Sequence, residues 1–275
     1  MASKVWLITG GSRGLGRAIT EAALEGGHQV VATARNIIQL QDLKKMYGDQ
    51  VVTIALDVTD ETAAYNAVQL AIDHFGHLDI LVNNAGYGNI NSIEETSLAD
   101  FRAEIETNLF GTIIVTKAAL PFMRRRRSGH IIQVSSIGGR IGSIGRGPYA
   151  AAKWGVEGFS EVLAKEVGPL GIKVTIIEPG GFRTDFAGSS SSINDGIPDY
   201  DATVGATARF QRDYNGKQPG DPKKAAQAFL KIAEMSSPPL RLLLGTDAFN
   251  GAVRYDQSKT VADKQWSDLS KSTDF

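Results

Sequence analysis

Tyr149 and Lys153 stand four residues apart in the stretch GRGPYAAAKWG (residues 145–155), a spacing that puts two side chains one turn apart on a helix face. A tyrosine hydroxyl, with an ordinary pKa of about 10, exchanges protons near neutrality only if its phenolate is stabilised. A neighbouring ammonium supplies that stabilisation. Such a pair suits the one proton that must move when hydride passes to or from a carbon bearing oxygen. Pro148, just ahead of Tyr149, is compatible with a helix start. Thirteen residues upstream of the tyrosine, Ser136 closes the apolar run HIIQVSS (130–136). At a strand end its hydroxyl would hydrogen-bond a substrate oxygen and share developing charge, with Ser135 as the packing partner. Taken alone, the four-residue spacing also fits a solvated surface pair.

Short apolar runs recur along the chain, at residues 5–9, 29–34, 51–58, 78–86, 130–136, 173–180 and 240–245. Their Val and Ile content and continuous hydrophobicity suit strands buried on both faces. Between them, segments such as GLGRAITEAALEGG carry apolar residues at helical spacing. The alternation predicts an α/β fold: a doubly wound parallel sheet of about seven strands with helices on both faces. No composition break divides residues 1–275, so a single domain is expected. Residues 187–221, rich in Ser, Gly, Asp and turn signals, read as a substrate-loop insert, which with IGGRIGSIGRG (137–147) should form the pocket wall. The polar tail, about 246–275, reads as peripheral and partly mobile.

Between the first strand and first helix lies ITGGSRGLGRA, with Thr9, Gly10, Gly14 and Gly16 in the order T-G-x-x-x-G-x-G. Glycines there give a tight turn and close backbone approach, and the helix start suits a pyrophosphate. The second strand ends VVATARN without an acidic residue. An acid at that place would accept from a ribose 2′-OH; Arg35, with Arg13 in the glycine turn, instead suits a 2′-phosphate.

On these motifs the chain resembles the short-chain dehydrogenase/reductase family, in its branch of single-domain Rossmann-fold subunits, over about residues 4–246. NNAG (83–86), Asn108 in IETNLFGTI and Pro179, Gly180 and Thr184 in EPGGFRTDF extend the likeness in the family's order. The resemblance implies an NADP(H)-dependent carbonyl reductase or alcohol dehydrogenase. Its catalytic set would be Asn108, Ser136, Tyr149 and Lys153, with Tyr149 as general acid/base and Asn108 in a water-mediated relay to Lys153. The implied cofactor contacts are Gly10, Ser12, Arg13, Gly14, Leu15, Gly16, Arg35, Asp57, Val58, Asn83, Ala85, Gly86, Tyr149, Lys153, Pro179, Gly180, Phe182 and Thr184. Asp57 also reads as a helix cap, a role for which Thr59 and Asp60 are equally well placed. The substrate would be a small carbonyl or alcohol compound, and a homodimer or homotetramer is the family habit. A non-catalytic NADP(H)-binding sensor on the same fold is the alternative, which the Tyr/Lys pair disfavours.

Composition narrows the remaining classes. The 275 residues hold no cysteine, which excludes disulfides and thiolate chemistry. The net charge of −1 gives no reason to expect nucleic acid or an anionic membrane as partner. The run RRRR (124–127) reads as a solvated helix end. Four scattered histidines suggest no metal site. Without a leader-like or spanning apolar stretch, a cytoplasmic location is expected.

Overall fold

The computed structural model describes residues 3–188 and 191–275. The elements follow in chain order as β1 (Val5–Ile8), α1 (Gly14–Glu25), β2 (Gln29–Ala34), α2 (Gln41–Tyr47), β3 (Val51–Ala55), α3 (Glu61–Phe75), β4 (Ile80–Asn83), α4 (Leu98–Ile105), α5 (Gly111–Arg126), β5 (Gly129–Val134), α6 (Gly147–Val167), β6 (Ile172–Pro179), α7 (Ala206–Tyr214), α8 (Pro222–Glu234), β7 (Arg241–Leu244), α9 (Thr246–Gln265) and α10 (Ser267–Lys271). The strands pair in parallel in the order β3-β2-β1-β4-β5-β6-β7. This is the doubly wound Rossmann-type sheet that the apolar runs predict.

Both faces of the sheet are covered, which is why its strands read as unbroken hydrophobic runs. On one face Trp6, Ile8, Val30 and Ile177 pack with Ile19 of α1 and Phe229 of α8. On the other, Leu7, Leu81, Ile131 and Val174 pack with Val68 of α3, Val115 of α5 and Leu163 of α6. Strand order reverses at β1, which has β2 on one side and β4 on the other. The carboxyl ends of the strands flanking that reversal form the crevice where doubly wound sheets bind ligands.

Several strands stop short of the predicted runs, for identifiable reasons. β3 ends at Ala55, and the chain turns where Asp57 accepts from Thr59 N at 3.0 Å. β4 ends at Asn83, because the next two amides turn aside to donate to the Thr9 hydroxyl, Asn84 N at 2.9 Å and Ala85 N at 3.0 Å. The insert is partly structured. It contains α7, and its Ile193 forms a single bridge with Ile90.

The tail lies at the periphery and is helical. Residues after Gly245 form the 20-residue helix α9 and the short α10. Only the small residues Ala248 and Ala252 of α9 are buried, so the sequence carries no amphipathic signal there. What ties α9 down is polar: Asp247 accepts from Gly181 N at 2.7 Å, and Asp256 accepts from Arg140 at 2.9 Å. Among the described residues, no helix is long and apolar enough to cross a membrane.

Candidate active site

The glycine turn follows β1. Gly10 and Gly14 hold φ values of +66° and +57°, a region that favours glycine. A Cβ on Gly16 would overlap the Gly10 carbonyl and the Asn84 amide, so α1 lies against its own turn more closely than any other residue would permit. The first turn of α1 has no side-chain cap and no acidic residue. By contrast α3, α4 and α8 are capped by Asp60, Ser97 and Asp221. The free N–H groups and helix dipole at α1, around Ser12, Arg13, Leu15 and Gly16, thus suit an anion. A Cβ at Gly14 would stand 3.3 Å from Thr184 Cβ, which brings the turn after β6 against the turn after β1.

Around this crevice the predicted cofactor residues fall into two groups. Arg13 and Arg35 are exposed and make no hydrogen bond or ion pair among the described residues. Arg17, one turn into α1, is already paired with Glu21 at 2.7 Å and with Asp42. Hydrogen bonds from Thr59, aided by the Arg35 charge, hold the Asp57 carboxyl below its ordinary range. Helix α3 is capped by Asp60, through Ala63 N at 2.9 Å, and not by Asp57. The other group is committed to the fold. Val58 is buried, and a Cβ on Gly111 of α5 would overlap its methyl. Asn83 Nδ2 donates to Thr116 Oγ1 and Gln133 Oε1, each at 2.9 Å, and ties β4 to β5 and α5.

The turn after β6 is held from outside. Gly180 N donates to Leu244 O at 2.9 Å and Gly181 N to Asp247 Oδ2 at 2.7 Å. Phe182 bridges to Gly220, and Thr184 caps the turn that follows through Phe186 N at 3.3 Å. Loss of the Asp247 carboxylate leaves Gly181 N–H without its acceptor. Asp247→Ala should therefore raise the KM for the cofactor several-fold, consistent with about 1–3 kcal/mol for an abandoned charge-assisted bond, with kcat less affected; steady-state kinetics checks this.

Ser136, Tyr149 and Lys153 converge at the carboxyl end of β5. Pro148 sits in the first turn of α6, as predicted, and puts Tyr149 and Lys153 on its buried face at 7% and 4% exposure. A Cβ on Gly138 would stand 3.3 Å from Tyr149 Cε1 and 3.4 Å from Ser136 Oγ, so serine and tyrosine face one small gap. Ser136 Oγ also accepts from Gly138 N at 3.0 Å, which fixes its rotamer. Burial pushes the Tyr149 hydroxyl up, while a hydrogen bond with Ser136 and the Arg146 charge pull it down. Lys153 Nζ donates to Val134 O at 2.7 Å and lies 5.7 Å from the Tyr149 ring centroid. Burial lowers its pKa to about 8. Arg146, 5.8 Å from the Tyr149 ring, thus adds a second cation beside the Lys153 to which the sequence pointed.

Asn108 lies in a wider, π-type turn, Glu106–Phe110, between α4 and α5. Its amide grips one residue: Oδ1 accepts from Tyr87 N at 3.0 Å and Nδ2 donates to Tyr87 O at 2.8 Å. A Cβ on Gly86 would overlap Asn108 Oδ1 and stand 3.7 Å from Lys153 Nζ. Asn108 and Lys153 thus meet across Gly86, but the Asn108 side chain is already spoken for by Tyr87.

The family model for short chain dehydrogenases matches residues 4–194. The chain belongs to that family. It is 48% identical to the oxidoreductase BOA17 of Botryotinia fuckeliana over 269 residues, covering 98% of each chain. It is 35% identical to a 3-ketodihydrosphingosine reductase of Bacteroides thetaiotaomicron, covering 89% of each. The crystal structure of a short-chain dehydrogenase from Streptomyces avermitilis superposes with a TM-score of 0.93 at 41% identity, covering 100% of each chain. The protein is thus an oxidoreductase of this family.

Phe186, Asp247 and Glu104 escaped the sequence reading of the dehydrogenase's site, and Arg146 entered it only as part of the pocket-wall stretch 137–147. The Phe186 ring packs against Tyr149 at a tilt, with 5.6 Å between ring centroids. The Arg146 guanidinium lies 5.8 Å from the same ring and donates to Gln211 Oε1 of α7 at 3.2 Å. Asp247 holds the turn after β6 from the peripheral tail, and Glu104, one turn before Asn108, is buried. Only Glu104 left a sequence signal, since its four-residue interval from Asn108 puts both on one helix face.

Proposed function

We propose that this short-chain dehydrogenase transfers hydride between NADP(H) and a ketone, aldehyde or secondary alcohol, with Tyr149 exchanging the proton. The observation that carries this reading is the convergence of Ser136 and Tyr149 on one gap, with Lys153 buried beside them. A non-catalytic sensor would gain nothing from burying a lysine and a tyrosine at a strand end, where each costs desolvation. The reductase name of the Bacteroides relative supports a carbonyl substrate.

The crevice fits the cofactor. The uncapped start of α1 suits the pyrophosphate. Arg13 and Arg35, unpaired among the described residues, suit a 2′-phosphate, and the turn from Pro179 to Thr184 suits the nicotinamide end. Bound NADPH would supply the hydride. In the reductive direction Ser136 holds the substrate oxygen and Tyr149 gives it a proton, because the forming alkoxide is the stronger base. Lys153, held by Val134 O, keeps a positive charge near the phenolate that results. Phe186 and α7 shield the site from water. The exposed Trp154 of α6, at 44% exposure, suits a homo-oligomer contact.

The test is absorbance at the NADPH band with a panel of cyclic ketones, aromatic aldehydes and 3-oxo esters, run with NADPH and NADH side by side. Reduction of panel members with preference for NADPH is the expected result. Arg35→Ala should raise the KM for NADPH roughly ten-fold and leave that for NADH unchanged, in line with about 1.5–3 kcal/mol for a charged hydrogen bond. A wild-type preference for NADH would refute the arginine reading.

A further inference from the structure

Each carbonyl reduced takes one proton from Tyr149, so the hydroxyl must be reloaded once per turnover. Tyr149 and Lys153 are both buried, at 7% and 4% exposure, which leaves bulk water little access to either. Glu104, in the last turn of α4, is 1% exposed. Its Oε2 accepts from Asn89 N at 3.3 Å, while the buried Oε1 has no partner. A buried carboxyl with an idle oxygen is costly, and calls for an explanation beyond folding. Glu104 also lines a polar cavity of about 290 Å³, together with Asn89, Asn91, Asp100, Ser192 and Asn194.

The charged and titratable groups around Glu104 come from every neighbouring element. Arg146 precedes α6, and Tyr149 and Lys153 project from its first turns; Asp100 shares α4, and Tyr87 lies in the segment after β4. Burial pushes Glu104 up to about 7, with Asn89 N–H, Arg146 and Lys153 pulling it back. Lys153 sits at about 8. Burial draws the two groups toward one another in acidity, and groups so matched pass a proton with little free-energy penalty.

We propose that Glu104 is the residue through which the buried Tyr149–Lys153 pair exchanges protons with solvent, across the polar cavity between α4 and the segments 89–91 and 192–194. This rests on Tyr149 being the proton donor. In reduction, the substrate oxygen takes the Tyr149 proton and leaves a phenolate. The Lys153 ammonium gives a proton to the phenolate and becomes an amine. The Glu104 carboxylic acid reprotonates the amine through water and becomes a carboxylate. A buffer acid then reprotonates Glu104 through the cavity, so one solvent proton is consumed per hydride. Oxidation runs the same route backwards.

Glu104→Gln keeps an acceptor for Asn89 N–H but cannot carry a proton. With NADPH and the fastest-reduced panel compound, the variant should lose about 100-fold in kcat above pH 8, the lower end for a positioned proton carrier. Both KM values should stay near wild type, the loss should shrink as pH falls, and millimolar imidazole should restore part of the rate. An unchanged pH profile, or a pH-independent loss that imidazole does not relieve, would overturn the proposal. A second measurement needs no turnover. Infrared difference titration of the full chain should show a protonated-carboxyl stretch that disappears as pH rises through neutrality and is missing in Glu104→Gln. Absence of that band at pH 6 also overturns it. Were Tyr149→Phe to keep full turnover, the proposed function would fall while the infrared result stood on its own.

Discussion

Replacing Tyr149 by Phe should lower kcat by about 10²–10⁴-fold, the usual range for a lost general acid, while NADPH affinity stays close to wild type. The substitution removes one oxygen and keeps the ring. The tilted contact of Phe186 at 5.6 Å and the placing of Arg146 at 5.8 Å depend on that ring and should survive. The fold should hardly notice, because no hydrogen bond of the hydroxyl anchors another element; its one influence is on Ser136 across the Gly138 gap. Steady-state kinetics against NADPH fluorescence titration separates the two effects. Turnover within ten-fold of wild type would remove Tyr149 from its role. Arg146→Leu offers a finer check: with that charge gone, the hydroxyl pKa should rise further, and any alkaline limb of the oxidation rate should move to higher pH.

Much of this arrangement was legible because its signals are local. Buried parallel strands announce themselves as Val- and Ile-rich runs, and the glycine turn, the Ser136–Tyr149 interval and the Tyr149–Lys153 pair are each carried by spacings of thirteen residues or fewer. Arg146 illustrates what was not legible. Its neighbours at Gly88 and Gln211 lie 58 and 65 residues away in sequence, so nothing around GRGPY reveals that its guanidinium faces the catalytic ring. Glu104 shares a helix face with Asn108, but nothing in DFRAEI shows that it is buried; burial comes only when α4 packs against α6 and the segment after β4. The helix in the tail went unread for a related reason. A helix that buries two alanines has no hydrophobic stripe, and its anchors, Asp247 and Asp256, find partners more than 60 residues upstream.

The second large effect is expected at Arg140, four residues past Ser136. Its guanidinium donates to both oxygens of Glu178, at 2.9 and 2.8 Å, and to Asp256 of α9 at 2.9 Å. Glu178 is fully buried, immediately before Pro179. Arg140→Met would leave that carboxylate facing Arg241 at 3.8 Å, with the Glu157 charge opposing it. Stranding one partner of a buried pair costs about 3–5 kcal/mol, which for a chain of this size lowers Tm by roughly 10 °C. The sign of the pH dependence follows from burial, which already raises the Glu178 pKa. Without Arg140 it rises further, so the folded chain binds the proton more tightly than the unfolded one. That contribution is complete below the ordinary glutamate range and is lost as pH rises through the folded value. The deficit of Arg140→Met should therefore be greatest at neutral pH and shrink on acidification, as thermal melts across pH would record. Asp256→Asn, which breaks only the exposed arm, should cost no more than about 1 kcal/mol. Arg140→Met combined with Glu178→Leu should recover most of the loss, since the stranded charge is then gone. Catalysis should report on the same pair. Arg140 joins the turn that carries Ser136 to the strand that carries Pro179 and Gly180, so the double variant, restored in stability, should still show a reduced kcat/KM. Full recovery of both would reduce the pair to a packing element with no part in setting the distance between serine and nicotinamide turn.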